Sequence, residues 1–266
     1  MAILPIHQSF VLNDEIIPVS DFIPHENEGG IYEVIRVVNG VPLFCDEHLE
    51  RFSISAGIAG NRINFSDFKI RQFLLKLIAS NDVNEGNILI SYKKNLKAFF
   101  IPHKYPSLQQ YKTGVACGTM VTERINPNAK VFQSPVRQRA DELMAKYSYY
   151  EVLLVDKKNR ITEGSRSNVF FIANNYIVTP PGNEVLIGIT RIKTILIAQK
   201  HGLEVEERDV HLKDLKNFSA AFITGTSPKI LPVNKIDLIP FNSQHEIVHL
   251  LISDFELMIE DYIRNN

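Results

Sequence analysis

Residues 31–38 (IYEVIRVV) are apolar and β-branched and run directly into Asn39-Gly40. An Asn-Gly pair between extended runs is a strong hairpin signal, because both turn positions need positive φ. Residues 41–44 (VPLF) are expected to close that hairpin. Similar short runs recur at 87–92, 97–102, 114–121, 151–155, 168–172, 176–178, 220–224 and 230–236. Fewer helical patterns separate them. One follows Asp46, read as an N-cap, with Leu49, Phe52 and Ala56 as its stripe. A second is capped by Ser66, with Phe68, Leu75 and Ile78 as apolar positions. Others are expected at 135–146 and at 190–201, the latter ending at Gly202. The last starts at Ser243 and Glu246 in capping-box spacing, with Ile247, Leu250, Leu251, Phe255, Met258 and Ile259 turned inward. Strands in such excess argue for an α+β fold over a doubly wound one. The polar stretch 103–113, with Pro106, reads as a connection. The expected division is therefore an N-terminal α+β lobe over 1–105, a linker over 106–113 and a C-terminal α+β lobe over 114–266.

Composition narrows the function classes. Of 266 residues, 45% are hydrophobic, enough for a large core. A formal net charge of -1 gives no electrostatic footprint for nucleic acid or an anionic membrane. Cys45 and Cys117 lie in no CxxC or Cys/His cluster, so neither a disulfide framework nor a metal site is expected. No basic start with an apolar run opens the chain, and no stretch nears the roughly 20 apolar residues of a membrane span. A soluble, cytoplasmic protein is the expectation.

Three loops in the second half could carry chemistry. In 161–172 (ITEGSRSNVFFI), Glu163 precedes small polar residues and then an apolar strand. This is either a turn with a solvated acid or a carboxylate held beside a polar ligand. In 186–202 a helix starts at Gly188, followed by Ile189 and Thr190. Helix N-terminal amides favour an anion, though most meet only water. In 222–228 (FITGTSP), a strand runs into hydroxyls and amides that suit a phosphate or an ordinary turn. Arg51, in 47–55 (EHLERFSIS), is by itself a helix-surface cation, and Lys130, in 126–134 (NPNAKVFQS), is by itself a surface lysine after a turn.

Taken in order, IYEVIRVVNG, EHLERFSIS, EGSRSNVFFI, GITR and TGTSP resemble the class IV aminotransferases, which include branched-chain and D-amino acid aminotransferases and aminodeoxychorismate lyases. The resemblance covers roughly Ile31 to Ile236. It implies fold type IV, with two α+β lobes, pyridoxal 5'-phosphate in the cleft between them, and a homodimer. It implies that Lys130, 33 residues before Glu163, is the Schiff-base lysine. Glu163 is then the acid that pairs with the pyridine nitrogen. Arg51, the amides of Ile189 and Thr190, and Thr226 form the phosphate cradle. The implied reaction is transamination between an amino acid and a 2-oxo acid. A carbon–carbon lyase of the aminodeoxychorismate type is the alternative, and a non-catalytic cofactor binder a third reading that Lys130 and Glu163 together argue against. Tyr32 and Arg36, two and six places into one strand run and so on one face, are the substrate-contact candidates.

The chain departs from the family pattern in three places. Gln133, Ser134 and Pro135 stand where many members carry an Asn and often a Tyr after the lysine. HENEGG (25–30) replaces a glycine-aspartate-glycine segment, and 88–95 (ILISYKKN) lacks an arginine used by some members. Substrate recognition is therefore expected to differ from that of the best-known members.

Overall fold

The computed structural model describes residues 3–24, 30–132 and 134–266. HENEGG up to Gly29, and Gln133, lie outside these. The chain divides into two compact units. The first contains residues 1–104, 129–133 and 259–266, and the second 105–128 and 134–258. The segment that holds Lys130, assigned by sequence to the C-terminal lobe, packs with the first unit.

The first unit is built on a six-stranded sheet. Its strands are β1 (Ser9–Leu12), β2 (Glu15–Pro18), β3 (Ile31–Val38), β4 (Val41–Pro42), β5 (Glu85–Tyr92) and β6 (Leu96–Ile101), in the order β2-β1-β6-β5-β3-β4. Asn39 and Gly40 take φ of 52° and 75°, as the hairpin signal requires. Helices α1 (Cys45–Ile58) and α2 (Asp67–Asn81) cover one face. There Leu49, Phe52, Ile70, Leu74 and Leu77 pack on Ile31, Ile35 and Val37. The opposite face carries Phe10, Tyr32, Leu89, Phe99 and Phe132.

Two helix expectations need correction. Asp46 does not cap α1. Phe44 does, in the left-handed region with φ 50°, and the Cys45 amide donates to the Tyr262 hydroxyl at 3.1 Å. Asp46 sits in the first turn, where a carboxylate suits the helix dipole, and accepts from Arg71. Ser66 caps α2 as expected, accepting from the Lys69 amide. Phe68 and Leu75, however, face outward; the buried stripe is Ile70, Phe73, Leu74, Leu77 and Ile78.

In the second unit, the expected linker is mostly helix. Leu108–Thr113 forms α3, closed by a capping box between Ser107 and Gln110, and the Tyr111 hydroxyl donates to the Pro228 carbonyl. The remaining helices are α4 (Ser134–Tyr147), α5 (Ile189–Lys200) and α6 (Glu246–Arg264). The strands are β7 (Val115–Val121), β8 (Glu151–Val155), β9 (Arg160–Gly164), β10 (Asn168–Ala173), β11 (Tyr176–Thr179), β12 (Val205–Glu207), β13 (Val210–His211), β14 (Ala220–Gly225), β15 (Lys229–Ile236) and β16 (Ile239–Pro240). They form one sheet in the order β12-β11-β10-β14-β15-β7-β8-β9-β13, with β16 on β15. Parallel pairs (β15 with β7, β7 with β8) are mixed with antiparallel hairpins, which suits the absence of a regular βαβ pattern. α6 begins at Glu246 rather than Ser243, and the His245 ring accepts from the Ile247 amide. No helix among the described residues is long and apolar enough to cross a membrane.

Candidate active site

In the first unit, Lys130 is fixed through its main chain. Asn126 turns the chain with φ 49°, and Val131 then bridges antiparallel to Ile31 at the start of β3. The Tyr32 amide donates to the Lys130 carbonyl at 3.0 Å, and the Lys130 amide donates to Ser55 Oγ at 3.1 Å. The Lys130 side chain is 15% exposed. Its Nζ stands 3.9 Å from Glu33 Oε1 and 5.0 Å from the centre of the Tyr32 ring, which stacks on Phe132 at 4.2 Å. Arg36 shares the Tyr32 face of β3, opposite Asn87.

Glu33 is the residue that sequence reasoning passed over. It is fully buried on the apolar side of β3, between Ile31 and Ile35. Arg51 grips it with two bonds, Nε to Oε2 at 2.8 Å and Nη2 to Oε1 at 2.7 Å. His48, one helical turn before Arg51, places Nδ1 3.3 Å from Oε1. Nδ1 is also 3.5 Å from Arg51 Nη2; with its hydrogen directed at the carboxylate, only the shorter contact is a hydrogen bond. Burial raises the Glu33 pKa, but the charges of Arg51, His48 and Lys130 outweigh it and hold the carboxyl far below the usual range. For His48, burial prevails over the attraction of Glu33, and the imidazole pKa falls below its ordinary 6.5. The signal was legible: an acid at the inward register of an otherwise β-branched strand needs a cation.

In the second unit, Glu163 is the penultimate residue of β9 and is 3% exposed. Its Oε1 accepts from Arg124 Nη1 at 2.9 Å, and its Oε2 from the Leu186 amide at 3.1 Å. A carboxylate offers about four lone-pair sites, so a further donor such as a ring N–H is chemically admissible. The Leu186 carbonyl in turn accepts from Asn168 Nδ2 at 2.8 Å. Two residues on, Gly188 opens α5 with no side-chain cap. A Cβ at Gly188 would lie 2.2 Å from Asn168 Oδ1, so only glycine fits this approach. Ile189 and Thr190 occupy the buried first turn of α5. Thr226 is half-buried in the turn after β14. Thr224, opposite Asn168 in the sheet, is fully buried, and its Oγ1 has no partner among the described residues.

Of the expected residues, Lys130 and Arg51 thus meet at Glu33 in the first unit, and the Tyr32 ring, on the other face of β3, lies 5.0 Å from the Lys130 amine. Glu163 and the start of α5 meet through Leu186 and Asn168 in the second. The donor set at α5 and β14, with one orphaned buried hydroxyl, fits a phosphate, and Glu163 fits a ring nitrogen that carries a proton.

Comparison with known proteins gives the family and the fold. Residues 30–236 match the family model for the amino-transferase class IV family. The D-alanine aminotransferase of Bacillus licheniformis is 29% identical over 229 residues, which cover 78% of this chain and 79% of that protein. The holo-form structure of a branched-chain amino acid aminotransferase from Thermobaculum terrenum superposes with a TM-score of 0.82 at 22% identity, covering 96% of this chain and 95% of that one. A candidate 4-amino-4-deoxychorismate lyase from Legionella pneumophila gives 0.78 at 22%, covering 90% and 97%. At these identities the structures establish the fold. The chain belongs to the class IV aminotransferases, a family of pyridoxal phosphate-dependent enzymes, and has their type IV fold.

Proposed function

We propose that this enzyme moves an amino group between an amino acid and a 2-oxo acid, with pyridoxal phosphate attached covalently at Lys130. The observation that carries the reading is the fixing of Lys130: its main chain is bonded on both sides, and its amine is set beside a buried carboxylate. Bound pyridoxal phosphate supplies an aldehyde for attachment and a ring that accepts electrons. Lys130 Nζ first anchors the group and, once displaced by substrate, carries a proton from the substrate Cα. Glu33 lies close enough to hold that proton's ammonium in place. Glu163 keeps the proton on the ring nitrogen, and Arg124 holds the Glu163 carboxylate in one orientation. The amides of Ile189 and Thr190 and the Thr226 hydroxyl take the phosphate, together with Arg51. Tyr32 and Arg36 contact the substrate. The curated relative acts on D-alanine by name, which makes D-amino acids the first donors to test. Homodimeric assembly, from the family resemblance, and a cytoplasmic setting, from composition, belong to the same reading. The lyase alternative has likeness of fold alone behind it.

Borohydride reduction of the yellow holoenzyme, followed by peptide mapping, is expected to place the label on Lys130. A label on Lys146 or Lys193 refutes the assignment. A panel of D- and L-amino donors with 2-oxo acids, aminodeoxychorismate included, is expected to show transamination. Turnover of aminodeoxychorismate alone, without any acceptor, decides for the lyase.

A further inference from the structure

Glu151, the first residue of β8, is 4% exposed and takes no part in the roles above. Its carboxylate is surrounded by donors. Oε1 accepts from its neighbour's amide at Val152 (2.8 Å), from the Ser165 amide (3.1 Å) and from Ser165 Oγ (2.6 Å). Oε2 accepts from the Arg166 amide (3.2 Å) and from Ser167 Oγ (2.8 Å). Four of these five donors belong to the turn that directly follows Glu163 and Gly164. The turn is wrapped so tightly that a Cβ on Gly164 would stand 2.1 Å from Ser167 Oγ and 3.0 Å from the Glu151 carboxyl carbon. The Gly164 amide closes it by donating to the Ser167 carbonyl at 2.7 Å.

The turn delivers Asn168, whose side chain holds the Leu186 carbonyl while the Leu186 amide holds Glu163. A circuit therefore runs from Glu163 along the backbone through the turn at 165–167 to Asn168, across to Leu186 and back to Glu163, and Glu151 holds it at the turn. We infer that Glu151 is a positioning residue for Glu163: its carboxylate sets the turn that fixes where Glu163 presents its oxygens. The inference rests on the role proposed for Glu163 at the cofactor's ring nitrogen. A residue that touches neither substrate nor cofactor can matter here because the ring contact depends on placement. An amide at 151 keeps the volume but turns N–H groups toward donors, so part of the circuit opens.

The test is the ¹⁵N signal of the ring nitrogen in holoenzyme reconstituted with ring-labelled pyridoxal phosphate, read for wild type, Glu163→Gln and Glu151→Gln. Glu151→Gln is expected to move the signal in the same direction as Glu163→Gln, toward a less protonated nitrogen. Its kcat is expected to drop on the order of tenfold with KM nearly unchanged, the pattern of a loss confined to the transition state. If Glu151→Gln does not fold or hold cofactor, the double variant Ser165→Ala, Ser167→Ala keeps the carboxylate and is expected to give a smaller shift of the same sign. A ring signal identical to wild type in the folded variants, with only Tm lowered, overturns the inference while leaving Glu163 its role. An unchanged signal in Glu163→Gln itself overturns both.

Discussion

A carboxylate buried as completely as Glu33 needs a fixed cation, and Arg51 supplies one through two bonds of 2.8 and 2.7 Å. That pairing changes what substitution of Arg51 reports. Arg51→Ala strands a buried charge, at a cost of about 3–5 kcal/mol of stability. A fall in cofactor affinity in that variant alone would not separate phosphate binding from damage to the fold. The double variant Glu33→Leu, Arg51→Met removes both charges at similar volume and restores most of the stability. If Arg51 also binds phosphate, titration of the double apo-variant with pyridoxal phosphate still shows an affinity lower by roughly tenfold, the value of one lost charge-assisted bond. Equal affinity in the double variant and wild type makes Arg51 the counter-ion of Glu33 and nothing more. At this scale the sequence was readable only in part. Lys130 and Glu163 were proposed from the order of motifs alone, since neither stands out from other lysines and acids by its neighbours. Glu33 was passed over although its inward register in β3 marks it, and Glu151, Arg124 and Asn168 were missed because their partners lie far along the chain: Ser165 is 14 positions from Glu151, Arg124 is 39 from Glu163 and Leu186 is 18 from Asn168.

Among the elements, α5 offers the sharpest contrast between two glycines. Gly188 opens the helix against Asn168 Oδ1, whereas Gly202 follows its end with φ 69° and has nothing within 4 Å of where a Cβ would stand. Gly188→Ala is expected to push the start of α5 away from Asn168 and so to weaken cofactor affinity as well as lower Tm. Gly202→Ala is expected to cost about 1–2 kcal/mol through left-handed strain and to leave that affinity as it is. Paired thermal melts and cofactor titrations check both; equal affinities in the two variants would remove the start of α5 from the phosphate site. The strand runs were legible because alternation and Asn-Gly chemistry are local signals. The errors came where tertiary contacts decide. The Tyr262 hydroxyl takes the Cys45 amide, so α1 starts without the Asp46 cap. The capping box at Ser107 and Gln110 was in plain view, but Pro106 and the polar composition around it read as a connection. The outward Phe68 and Leu75 show that an apolar residue on a helix does not by itself mark the buried stripe.

For the molecule as a whole, the two units do not follow one another along the chain. Residues 129–133 and 259–266 belong with the first unit although the second intervenes. Tyr262 packs on Phe44 with ring centres 5.0 Å apart and caps the amide of Cys45. Tyr262 is half-buried, so Tyr262→Ala is expected to destabilise the protein by roughly 2–3 kcal/mol, below the range for deleting a fully buried aromatic ring. Tyr262→Phe, which loses only the hydroxyl, is expected to cost about 1 kcal/mol. Urea denaturation of both variants checks this, and equal midpoints would mean that the ring packing contributes nothing.

The same interleaving orders events during synthesis. Strand β3 leaves the ribosome early, but the residue that bridges Ile31 is made 100 positions later, and the hydroxyl that completes the start of α1 comes 217 positions after Cys45. Contacts so distant in sequence bring no stabilisation until their closure entropy has been met. The unit begun first is therefore finished last: its six strands are all made by Ile101, but the surface that 129–133 and 259–266 will cover stays open, and a nascent-chain chaperone would compete for it.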